Sequence, residues 1–187
     1  MGRVSDECMI DLEGRVLEGR GGDGDEMTRA GRQLPPAPRA IATAAAETLA
    51  AALSDDAVGF QQASARLAAL DREQVGLVLG AVVRSLLEEL HPGGLSGDDI
   101  EEVVSRCLST SAACFPAVDE NVLLVLLAGS LGIHPDAEDP QPVSALQMST
   151  HAPLLIATLV GPSGRSFTAH LDAAFREIAR SETVEMP

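Results

Sequence analysis

The longest apolar run in the chain is VLLVLL at residues 122–127, which continues through Ala128 to Leu131 after the capping signature Val118-Asp119. Read as a helix, the stretch 118–133 (VDENVLLVLLAGSLGI) is apolar on every side, and such a helix has to be wrapped by the rest of its own protein or by a partner. It is too short to cross a bilayer, which takes about 20 apolar residues. The expectation is a buried central helix in a helical domain.

From Arg39 up to the start of that stretch one spacing recurs: an apolar residue, then Ser or Asp, then an apolar residue four positions on. It appears as Leu53-Ser54 with Val58, Leu70-Asp71 with Val75, Leu95-Ser96 with Ile100, and Val118-Asp119 with Leu123. This is the pattern of an N-cap plus hydrophobic staple, in which the cap oxygen takes an orphan N–H and the flanking side chains clasp. Helices are therefore expected over 38–53, 55–70, 72–91, 97–115 and 118–133. Val75, Val78, Leu79, Val82, Val83, Leu86 and Leu90 share one face of the third, opposite Arg84 and Glu88, and Pro92-Gly93-Gly94 stops it.

A sixth helix is expected to start with Pro140 at its first position, where the missing N–H is harmless. Pro153 should then break it near 150–152, because an internal proline removes a backbone bond and clashes one turn back. The segment beyond, LLIATLV at 154–160, fits either a helix or a buried strand. The last helix, 166–181, carries Phe167, Leu171, Ala174, Phe175 and Ile178 along one stripe. The fold class is all-α: a single globular domain of six or seven helices over 39–182.

Residues 1–38 mix charge with glycine and end in LPPAP, too little apolar surface to offset the entropy of ordering; a disordered tail with an extended Pro-rich joint is expected there, and a short C-terminal tail at 183–187. No apolar signal segment follows Met1, which makes the cytoplasm the expected location.

Charge sharpens this picture. The formal net charge is -15, and residues 40–187 hold seven Arg against twenty acids. A body so acidic repels phosphate, so nucleic acid is excluded as a partner, as is a membrane. Three cysteines with no CxxC pair argue against a disulfide framework or a zinc cluster; Cys107 and Cys114 read as small core residues.

Candidate chemistry is sparse. No catalytic constellation, metal site or cofactor motif is predicted: HExxH and GxSxG are absent, and no two histidines stand three or four apart. The run Gly161-Pro162-Ser163-Gly164-Arg165-Ser166 before a helix offers free N–H groups for an anion, with Arg165 and Ser166 as its candidate binders. His151 and His170 join them as the lining of a pocket expected at the Pro153 break. Glu88, Glu89, Asp98, Asp99, Glu101 and Glu102 gather at one end of a helical hairpin, an acidic patch suited to a basic protein partner. These features favour a non-enzymatic interaction or regulatory module that self-associates as a homo-oligomer; the alternative is a small-molecule or metal-assisted enzyme with its pocket near Pro153.

Overall fold

The structure, a computed structural model, describes residues 34–115, 117–133 and 143–184, with side chains to Ser181. Among the described residues there are seven helices and no strand: α1 (Pro36–Leu53), α2 (Ala57–Ala68), α3 (Arg72–Leu90), α4 (Gly97–Ser111), α5 (Glu120–Ser130), α6 (Ala145–Val160) and α7 (Phe167–Val184). The all-α expectation holds, and residues 154–160 are helix. Of the expected N-terminal tail, residues 1–33 lie outside the described set, while Pro36 to Pro38 form the first turn of α1 and no extended joint. Those positions have orphan N–H groups in any helix, so proline suits them, and Arg39 N–H makes the first backbone bond, to Pro35 O at 3.0 Å. At the other end α7 runs to Val184, into the expected C-terminal tail.

Three of the four anticipated caps are in place. Asp71 accepts from Gln74 N–H, Asp119 from Asn121 N–H, and Ser96 with Asp99 closes a full capping box. The fourth start moved. Ser54 ends α1, its hydroxyl bonded to Ala50 O, Asp55 takes a left-handed φ of 54°, and Asp56 caps α2. Leu53 and Val58 are both exposed and form no staple.

α6 departs furthest from expectation. It starts after Ser144, which forms a capping box with Gln147, and runs unbroken through Pro153; Pro140 lies outside the described residues. An interior proline costs about 3 kcal/mol. Against that, Leu154, Leu155, Ile156 and Leu159 are all buried, and each buried aliphatic side chain contributes about 1.5–3 kcal/mol. Burial wins because α6 is surrounded: it packs against α1, α2, α3, α4 and α5. The central post of this fold is therefore α6 and not the 118–133 stretch.

α5 is covered on one side. Val122, Leu123, Leu127 and Ser130 are buried against α3, α4 and α6, whereas Leu124 and Val125 are 39% and 45% exposed. Cys107 is buried and free, as a core residue should be, but Cys114 is half-buried and disulfide-bonded.

Candidate functional site

The turn between α6 and α7 meets the C-terminal end of α3. Glu89 Oε1 accepts from Gly164 N–H at 2.9 Å and from the Ser163 hydroxyl at 3.0 Å, while its Oε2 lies 3.2 Å from His170 Nε2. His170 is fully buried, and its Nδ1 stands 2.9 Å from the Ser85 hydroxyl. The Glu89–His170 contact is electrostatic and not a hydrogen bond, since Glu89 Oε2 has no hydrogen-bond partner, and Nε2 also stands 3.3 Å from the Ser163 hydroxyl. Burial pushes His170 below the ordinary histidine value, Arg165 pushes the same way, and Glu89 opposes. Burial would raise Glu89, but the bonds from Ser163 and Gly164, helped by His170 and Arg165, hold it below the ordinary range.

The anticipated anion loop thus has an anion already, and it comes from the anticipated acidic patch. Glu89 sits in the cradle of residues 161–166. Two further groups of that turn bond within it: Arg165 N–H donates to Ser163 Oγ at 3.1 Å, and Ser166 Oγ caps α7 by accepting Ala169 N–H at 3.3 Å. Ser85, His170 and Glu89 have the residue types of a nucleophile relay, yet the ring is sealed from water and the set holds α7 and its entry turn on α3, with Glu89 Oε2 buried and without a hydrogen-bond partner. Arg84 and Glu177 add an ion pair between the same two helices.

His151 belongs to a different network. Its Nε2 accepts the N–H of Asp119, the cap of α5, at 2.9 Å, and its Nδ1 faces Gln147 O at 2.8 Å and Thr150 Oγ1 at 2.9 Å. The ring is buried, which lowers its pKa against the opposing pull of the Gln147 carbonyl and Asp119. Of the four candidate binders, then, Arg165, Ser166 and His170 gather at the α6–α7 turn, and His151 pins α6 to the start of α5. Ser85 and Ser163 were not singled out in the sequence, although Ser85 and Glu89, four apart, share a face of α3.

The acidic patch divides in the same way. Glu89 is in the cradle, Asp99 is in the cap of α4 and 3.6 Å from His91, and Glu102 pairs with Arg106. Hydrogen bonds from the Ser96 side chain and backbone keep Asp99 below its ordinary value. Glu88, Asp98 and Glu101 remain exposed. Among the described residues no three His, Cys, Asp or Glu side chains converge to hold a metal ion, and no helix is long and apolar enough to cross a membrane.

What stays uncommitted is a face of α5. Asn121, Leu124, Val125 and Gly129 are exposed and Ala128 half-exposed, a spacing of three and four that defines one side of a helix. The helix ends in a Schellman turn, with Ile133 N–H bonded to Ala128 O at 2.9 Å and Gly132 N–H to Gly129 O at 3.1 Å, and Gly132 supplies the positive φ of 73°. That turn carries Ile133, 56% exposed, back toward Ala128 and lengthens the apolar strip. Beside it runs an open groove of about 780 Å³ between α4 and α5, lined by Leu108 and Leu124 together with Ser105, Ser109, Glu101 and Glu120. No protein family, curated protein or solved structure matches this chain.

Proposed function

We propose that this chain is a non-enzymatic helical interaction module that works through the uncovered face of α5. One observation carries the reading: the most apolar stretch of the sequence leaves Leu124, Val125 and Ile133 in water, where a helix of this composition requires a cover. The polar clusters support it by default, since the buried histidines and Glu89 are consumed in holding helices together. The enzyme alternative rested on a break at Pro153, and α6 has no break there.

Site-specific photo-cross-linking in the producing cell tests the reading. A photoreactive residue at Val125 should give a discrete, heavier adduct, while one at exposed Gln61 on α2 should not. Equal labelling at both positions, or none at either, would remove the basis for a docking face on α5.

A further inference from the structure

Resting on that docking reading, we infer that the occupant of the α5 face is a second copy of this chain, its α5 lying antiparallel across a twofold axis. Three features of the face select that partner. The first is charge. Residues 121–133 contain no charged side chain, in a chain whose formal charge is -15. A basic partner would find carboxylates on α4 but only Glu120 at one end of this strip. Two acidic copies, by contrast, can meet only where each is neutral.

The second is shape. The strip is bulky at Leu124 and Val125 and flat at Ala128 and Gly129, about 6 Å further along the helix. An antiparallel copy lays its bulky pair over the flat pair, 124 against 129 and 125 against 128, and the twofold axis repeats the fit. Space for this exists, because a Cβ built on Gly129 would touch nothing within 4 Å. The third is polarity. Antiparallel α5 helices bring opposite dipole ends together and set each Glu120 beside the other copy's Ile133. A parallel pair would place Glu120 against Glu120.

The test is a mass measurement by size exclusion with light scattering, on the full chain and on variants checked for unchanged helix content. The parent should run at twice the 19.4 kDa chain mass. Val125→Glu and Val125→Lys should each run as monomers, and an equimolar mixture of the two should recover the doubled mass, since the two 125 side chains flank the twofold axis about 4.5 Å apart along the helix direction and then carry opposite charges. Asn121→Glu should leave the dimer intact, because an antiparallel copy brings the flat Gly129 end to it.

A dimer dissociated by Asn121→Glu would mean parallel helices, and a charge-swapped mixture that stays monomeric would mean an interface elsewhere; either overturns the proposal. If the parent is monomeric while the photoreactive residue at Val125 still yields an adduct of another mass, the docking face stands and the second copy is wrong. If the parent is monomeric and no adduct forms, both readings fall.

Discussion

Leu123 and Leu124 are neighbours in one helix, and truncating each to alanine separates a sealed α5 from a half-covered one. Leu123 is fully buried, so Leu123→Ala loses both the transfer free energy of the deleted carbons and leaves a cavity, a cost of about 3 kcal/mol. Leu124 keeps 39% of its surface in water; its truncation loses about three-fifths of a leucine's burial and leaves a dent open to solvent, about 1 kcal/mol. In a domain of this size each kcal/mol moves the melting temperature by about 2–4 °C. Leu123→Ala should therefore melt about 6–12 °C below the parent and Leu124→Ala about 2–4 °C below it. The chain has no Trp or Tyr, so the melt is read by far-ultraviolet circular dichroism at low protein concentration. Raising the concentration about 100-fold should stabilise the parent and Leu123→Ala through mass action but Leu124→Ala far less. Equal losses for both variants at low concentration would refute the half-covered helix, since only a residue with neighbours on all sides costs that much.

Three further outcomes follow from the buried polar groups and from Pro153. His151 and His170 are both held below the ordinary histidine value of 6.5, so the unfolded chain binds protons first: stability should decline as the pH falls below 6.5 and decline again below the ordinary carboxylate values, where Glu89 and Asp99 are ionised only in the fold. Denaturant titrations across that range check this, and stability that is flat or rising on acidification would contradict it. Glu89→Gln keeps an acceptor but loses the charge opposite His170, so amide hydrogen exchange at Gly164 and Arg165 should accelerate while helix content stays the same; unchanged exchange would mean that the carboxylate does not hold the turn. In Pro153→Ala the regained helix propensity, about 3 kcal/mol, exceeds the lost ring burial, about 1.6 kcal/mol, and the looser unfolded chain, up to about 1 kcal/mol. The melt should be unchanged or up to about 4 °C higher, and a loss of more than about 6 °C would show the ring to be a packing element that α6 requires.

Much of the fold was legible because it is written locally. Asp71, Ser96 and Asp119 are caps that need only their own next few residues, and the stripes of α3 and α7 need only helical spacing. Ser54 misled because its neighbours allow two competing uses, the end of α1 or the start of α2, and the left-handed turn at Asp55 decides between them. Pro153 misled for a larger reason. A proline's cost is local, but the burial that outweighs it comes from five other helices, and no window of sequence shows them. The same limit explains α5. Its composition said that it needs cover on all sides; which sides the chain itself covers depends on where α3, α4 and α6 fall. The candidate site is half visible in the sequence: the turn at 161–166 offers N–H groups to an anion, and Glu89 stands separately in the acidic patch. That one answers the other is a fact of three dimensions, joining positions 74 and 75 residues apart.

The place of α6 in the chain has a consequence for synthesis. Five helices leave the ribosome before the one they all lean on, and translation adds only about 5–20 residues each second. For some seconds the nascent chain holds Leu67, Val82, Leu86 and Leu123 with nothing to close over them. Folding of this domain is thus a late event, gated by the emergence of residues 145–160, and a chain cut before Ser144 should be a substrate for holdase chaperones and never a smaller version of the same fold.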